Sequence, residues 1–98
     1  MGIRSFKNKG TVDINYGKRT KDALRILPEN LHKKAQVKLA RLGAATSVRD
    51  LQEIRGNRFE VLKGNRKGQY SIRVNDQYRI CFKWKNEDAM EVEITDYH

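Results

Sequence analysis

LKGNRKGQYSIRVNDQYRICFKW, residues 62–84, decides the fold, because its alternation specifies both strands of a hairpin and their register. Tyr70, Ile72 and Val74 fall on one face, and Gln69, Ser71 and Arg73 on the other. Tyr78, Ile80, Phe82 and Trp84 repeat the pattern against Gln77, Arg79, Cys81 and Lys83, the period of two that marks half-buried strands. Apolar residues must meet apolar residues across a hairpin, since a one-residue slip turns every side chain to the wrong face. Val74 then pairs with Tyr78, Ile72 with Ile80, and Asn75-Asp76-Gln77 is the turn. The same register sets Arg73 opposite Arg79, a like-charge pair that destabilises a sheet by up to about 1 kcal/mol.

Outward from the hairpin, Phe59 to Leu62 reads as a preceding strand. Met90, Val92 and Ile94 read as the apolar face of a following one. Pairing Phe82 with Val92 brings Lys83 opposite Glu91 and Tyr97 diagonally near Arg79. Upstream the period changes to helical. Leu31, Ala35, Leu39 and Leu42 form one stripe, Pro28 precedes it, and Gly43 marks its expected end. Thr20 and Ser47 are placed to cap shorter helices, residues 21–27 and the turn holding Val48, Leu51 and Ile54. Ile3 to Phe6 reads as a short strand, and Lys7 to Arg19 as turns or a short helix. Helices followed by an antiparallel meander make an α+β fold, with the Leu31/Leu39 stripe on the apolar face of the sheet.

The chain has 98 residues and a formal net charge of +9. That length predicts a single domain over residues 1–98, and the charge points to a polyanionic partner. The charge is uneven. Arg55, Arg58, Lys63, Arg66, Lys67, Arg73, Arg79, Lys83 and Lys85 crowd the middle, whereas Glu87, Asp88, Glu91, Glu93 and Asp96 end the chain. No apolar run approaches the ~20 residues that span a bilayer, and no signal peptide is visible. A lone cysteine, Cys81, fits a reducing cytoplasm. The histidines, His32 and His98, lie too far apart in sequence for a metal motif, so neither metal nor cofactor is expected.

Arginine suits phosphate because its planar fork makes two hydrogen bonds at once. Arg73 and Arg79, fed by the basic loop at Lys63, Arg66 and Lys67, are therefore candidate anion ligands. The ending Asp96-Tyr97-His98 supplies two candidate acid–base groups, Tyr97 and His98. Lys33, Lys34, Lys38 and Arg41 read either as a solvated helix face or as a basic docking surface.

Taken together, LKGNRKGQYSIRVNDQYRICFKW, the N-terminal IRSFKNKGT, the central LPENLHKKAQVKLARLGAATSVRDL and the ending VEITDYH resemble the HigB-type toxins. These belong to the RelE superfamily of bacterial toxin–antitoxin systems and are also called plasmid-maintenance killer proteins. The resemblance covers nearly the whole chain. It implies a RelE-like fold and a metal-independent endoribonuclease that cuts mRNA in the ribosomal A site, by 2′-OH attack leaving a 2′,3′-cyclic phosphate. The family's L-K-G lysine matches Lys63, its strand arginine Arg79, and its D-Y-H ending Asp96, Tyr97 and His98. On this reading Lys63, Arg79, Tyr97 and His98 are catalytic, Arg66, Lys67 and Arg73 hold phosphate or backbone, and Asp96 orients the tail. Some members use a histidine three residues before the lysine. Glu60 stands there in this chain, and pairing with Arg58 or Lys63 is the favoured reading over proton transfer.

The implied partners are mRNA, the ribosome and a helix-turn-helix antitoxin of the HigA kind, with operator DNA reached only through that antitoxin. A membrane partner is not expected, since no amphipathic helix carries bulky aromatics on its apolar face. The rival reading is a non-catalytic basic module that binds RNA or the ribosome. In that case Tyr97 and His98 would be dispensable.

Overall fold

The computed structural model describes residues 2–96; Tyr97 and His98 lie outside the described residues, as does Met1. The strands are β1 (Gly2–Ile3), β2 (Glu60–Val61), β3 (Tyr70–Arg73), β4 (Arg79–Lys85) and β5 (Asp88–Thr95). The helices are α1 (Lys9–Asn15), α2 (Lys21–Ile26), α3 (His32–Ala44) and α4 (Val48–Gln52). The sheet order is β1-β5-β4-β3-β2. Every neighbouring pair is antiparallel except β1 with β5, which is parallel. The first strand thus joins the sheet beside the last, a pairing that no local pattern reveals. The fold is α+β, as the alternation and the stripe required.

Strand β5 is held along its far edge by the N-terminal segment. Arg4 N donates to the Ala89 carbonyl at 2.7 Å, Lys7 N to the Val92 carbonyl at 2.9 Å, and Val92 N to the Ser5 carbonyl at 3.0 Å. Beyond them Ile94 N donates to Thr11 Oγ1 at 3.2 Å, so α1 takes over where the chain leaves the sheet. Buried backbone donors are thereby matched along the strand.

The hairpin forms in the expected register, with Ile72 opposite Ile80 and Arg73 opposite Arg79. Asn75 Oδ1 closes the turn by accepting from Gln77 N at 2.9 Å and Tyr78 N at 2.7 Å. Asparagine side chains do this readily, because they mimic a backbone turn. The next hairpin departs from expectation. Cys81 faces Glu93, but Lys83 faces Met90, because Glu91 is a bulge residue at φ 51°. The extra residue flips everything beyond it. Ala89 therefore enters the core opposite Trp84, and Met90, expected inside, sits half-buried beside Lys83. Lys83 and Glu91, expected opposite one another, are thus out of register, yet their side chains pair at 3.0 Å.

Ala35, Leu39 and Leu42 of α3 pack with Ile72, Val74, Ile80, Phe82, Val92 and Ile94 in one core. Thr20 caps α2 by accepting from Ala23 N at 3.1 Å. At α4, Ser47 and Asp50 cap reciprocally, and backbone and hydroxyl bonds from Thr46 hold the Asp50 carboxyl below its ordinary range. Helix α3 runs one residue past Gly43, and Phe59 to Leu62 narrows to the two residues of β2. Lys38 departs further from the reading of a solvated face. It is buried, with Nζ donating to Asn57 Oδ1 at 2.8 Å. Among the described residues no helix is long and apolar enough to cross a membrane.

Two expectations test this packing. A Cβ at Gly10 would lie 2.6 Å from the Asp22 carbonyl oxygen and 2.8 Å from Ile26 Cδ1. Gly→Ala in a helix ordinarily stabilises by about 0.5–1 kcal/mol. Here the clash between α1 and α2 reverses the sign, and Gly10→Ala loses about 1–3 kcal/mol in urea unfolding. An unchanged or raised midpoint would contradict the contact. Cys81 is fully buried, and burial pushes its thiol up to about 11. It therefore resists iodoacetamide at pH 8 in the folded protein and reacts only on unfolding, as mass spectrometry would report.

Candidate functional site: the polar face of the sheet

The polar face is built on one cross-strand row. Glu60 of β2 faces Ser71 of β3, Ser71 faces Cys81 of β4, and Cys81 faces Glu93 of β5. Two small, fully buried side chains thus form a floor flanked by two carboxylates. Two arginines lie over it. Arg79 Nε donates to Ser71 Oγ at 2.7 Å and lies 3.2 Å from Glu60 Oε1. Its Nη2 donates to the Arg58 carbonyl and, at 3.4 Å, to the Ser71 carbonyl. Arg66 Nη1 reaches back from the 64–66 turn to Glu93 Oε1 at 3.1 Å and Gln69 Oε1 at 3.3 Å. Lys7 Nζ stands 3.9 Å from the same Glu93 oxygen.

The opposed arginines coexist because each has its own acid. Arg79 leans along the face toward Glu60, and Arg73 turns outward to Asp76. Arg73 in turn lowers the Asp76 carboxyl below its ordinary range. Acids at 60, 76 and 93 therefore offset the charge of Arg79, Arg73 and Arg66. Glu60 pairs with Arg79, not with Arg58 or Lys63 as expected, because β2 register sets it beside Ser71.

The anion-site candidates divide into groups. Arg79 and Arg66 share the floor. Arg79 is only 6% exposed, and Nε and Nη2 are engaged internally, so Nη1 is its remaining edge for a ligand. Lys63 and Lys67 flank the 64–66 turn, and both are exposed. Arg73 lies at the opposite end of β3 from Lys67, and the four steps from Gln69 to Arg73 span roughly 13 Å of strand. Asp96 accepts from Gln77 Nε2 at 2.9 Å, which ties the end of β5 to the β3–β4 turn. Tyr97 and His98 fall outside the described residues. Cys81 lies in the floor, and its raised pKa fits no nucleophile. Among the described residues no group of three His, Cys, Asp or Glu side chains is placed to hold a metal ion.

Sequence reading missed Ser71, Glu93 and Lys7. The hairpin register already put Ser71 beside Cys81 and offered that signal. Lys7 and Glu93 meet only through the parallel contact of the N-terminal segment with β5.

Comparison with known proteins is consistent across sequence and fold. The chain is 48% identical over 66 residues to Toxin HigB-1 of Vibrio cholerae serotype O1, covering 67% of this chain and 70% of that protein. It is 37% identical over 63 residues to an uncharacterised protein of Haemophilus influenzae, 64% of this chain and 62% of that one. A solved YoeB–YefM complex from Staphylococcus aureus superposes with a TM-score of 0.61 at 17% identity, covering 100% of this chain and 99% of that one, a likeness of fold. A YoeB–YefM heterotetramer from the same organism gives 0.57 at 16% identity. Residues 4–98 match the family described as the RelE-like toxin of type II toxin–antitoxin system HigB, and the chain belongs to that HigB-like toxin family.

Proposed function

We propose that this type II toxin is a ribosome-dependent endoribonuclease that cleaves mRNA in the A site and so inhibits translation. The observation that carries the reading is the Ser71–Cys81 floor roofed by Arg79 and Arg66, in a chain of the HigB-like family. Lys63, Arg79, Tyr97 and His98 are the proposed catalytic groups. Arg66, Lys67 and Arg73 take backbone phosphates, and Asp96 orients the chain's end.

In this reaction the 2′-OH of one nucleotide attacks the adjacent phosphorus, the P–O5′ bond breaks, and a 2′,3′-cyclic phosphate and a free 5′-OH result. A base removes the 2′-OH proton, an acid protonates the leaving 5′ oxygen, and cations stabilise the charge built up at phosphorus. His98 and Tyr97 are assigned the proton transfers. Arg79 Nη1 and Lys63 are assigned the non-bridging oxygens. The residues carry the acid–base and charge roles themselves, and the proposed reaction uses no metal or cofactor. Before substrate arrives, Glu60 and Glu93 occupy the arginines, so an incoming phosphate must exchange with a carboxylate.

The partners proposed are mRNA and the ribosome in the cytoplasm, and a helix-turn-helix antitoxin of the HigA kind, through which alone operator DNA is reached. The structural neighbours' pairing with YefM supports an antitoxin partner. The internal engagement of Arg79 favours one rival, a basic module that binds the ribosome without cutting.

Primer extension on a translated mRNA, with and without ribosomes, separates the two. Wild type gives ribosome-dependent cuts. Arg79→Ala, if circular dichroism shows it folded, loses about 10²–10³ in rate, and a chain lacking His98 loses the cuts as well. Tight ribosome binding without cuts in wild type refutes the nuclease. Cuts that survive loss of His98 refute only its assignment. Glu60→Gln removes the competing charge and leaves an acceptor for Arg79, so it raises affinity for a non-cleavable 2′-O-methyl RNA several-fold in fluorescence anisotropy. Unchanged or weaker binding would show that Glu60 does not compete with phosphate.

A further inference from the structure

The Arg79 face is balanced by acids, but a second group of cations is not. Lys38 lies on α3 and is 8% exposed. Its ammonium donates to Asn57 Oδ1 at 2.8 Å. Asn57 is itself fully buried and fixed by Nδ2, which donates to the Leu51 carbonyl at 3.1 Å. Nζ lies 3.8 Å from where a Gly56 side chain would begin, so the ammonium borders the 55–57 turn. Lys34 and Arg41, four residues before and three after, share its helix face and are exposed. Among the described residues no carboxylate comes within ion-pair distance of Lys34, Lys38 or Arg41. Burial, then the charges of Arg41, Lys34 and Arg73, push the Lys38 ammonium below its ordinary range. Asp76, an acid near enough to feel Lys34, is engaged by Arg73.

An ammonium has three donors, and only one meets an acceptor among the described residues. A lysine that served only to tie α3 to Asn57 would be weakened by two more cations on its own face. An oxyanion would fill the remaining donors and offset the repulsion at once.

We propose that Lys38, with Lys34 and Arg41, forms a second anion site for the phosphate backbone of RNA, separate from the Ser71–Cys81 floor. The three cations span about 10.5 Å of helix. A nucleic-acid strand carries a charge about every 3.4 Å of its axis, so the stripe is placed to neutralise consecutive phosphates and not one carboxylate. Arg73, though paired with Asp76, lies near enough for its charge to act on Lys38. The site adds affinity without reading sequence. Its RNA assignment rests on the chain's acting on RNA, whereas the oxyanion site itself does not.

The test uses inorganic phosphate and a 2′-O-methyl RNA oligonucleotide as probes, so cleavage plays no part. The proteins are wild type, the Lys34→Ala/Arg41→Ala double variant, whose exposed side chains leave the core intact, and Lys38→Met. At constant ionic strength, phosphate in place of chloride raises the wild-type melting temperature, and the rise is smaller in the double variant, where only the sheet-face cations remain to bind it. RNA affinity in that variant falls about tenfold, and the slope of log K against log salt becomes shallower by about 1–2. Lys38→Met, scored for RNA only if it melts cooperatively, behaves alike. Equal phosphate stabilisation and equal salt slopes in wild type and double variant overturn the site. If the double variant loses binding to polyglutamate and keeps RNA binding, the surface serves an acidic protein and the RNA assignment fails. A ribosome-cleavage failure at Arg79 leaves all these outcomes unaffected.

Discussion

The structure turns on one buried guanidinium. Arg79 cannot leave water unless its donors are filled, since an unpaired buried charge costs several kcal/mol. Ser71 supplies a hydroxyl and a carbonyl from the neighbouring strand. Glu60 supplies a carboxylate from the edge strand, and Arg58 supplies its own carbonyl. Arg58 takes a left-handed conformation, φ 42°, where the chain leaves the 55–57 turn to enter β2. A non-glycine residue adopts that region at a cost. The bond to Arg79 is the local gain that offsets it. The edge strand, the turn before it and the floor of the polar face are thus organised around one side chain.

The same economy explains which parts of the fold could be read in advance. The β3–β4 register was legible because Ile72, Val74, Ile80 and Phe82 leave one way to meet. The α3 stripe was legible because a period of three to four residues survives any context. Both are local patterns of burial. The Glu91 bulge was not legible, because glutamate carries no signal for positive φ. The shift of Met90 out of the core, and of Ala89 into it, followed from that unseen residue. The parallel seat of β1 and the meeting of Lys7 with Glu93 depend on contacts more than eighty residues apart. Lys38 resembled its exposed neighbours in sequence, and only the approach of Asn57 marks it as buried. Arg79 and Arg66, which share the floor, and Arg73, which turns outward to Asp76, were singled out by charge and alternation. Their acids were not, because cross-strand and diagonal partners are set by register and rotamer together.

The two basic surfaces differ in a way that net charge alone conceals. On the sheet, Arg66, Arg73 and Arg79 each have a carboxylate within 4 Å, so their charge is partly offset at close range. On α3, a buried ammonium and its two exposed neighbours have none among the described residues. Long-range attraction depends on the sum of charges and favours both surfaces. Short-range binding depends on what must first be displaced. The helix stripe can accept an anion without breaking an ion pair, whereas the floor must exchange one.

That exchange bears on selectivity. A carboxylate already seated on an arginine sets a threshold: an incoming anion must bind better than the resident one. Phosphate presents more oxygens and takes the arginine fork well, so it meets the threshold more easily than a stray carboxylate or a chloride ion. Glu60 is half exposed on a two-residue edge strand, the more accessible of the two acids. Glu93 is held more firmly, between Arg66 and Lys7 on a central strand. The Glu60 side of the floor is therefore the side nearer solvent. Lys63 lies two residues beyond β2 on that side. Edge-strand geometry and the charge pairing thus give the face a direction, with entry beside β2 and a fixed wall beside β5.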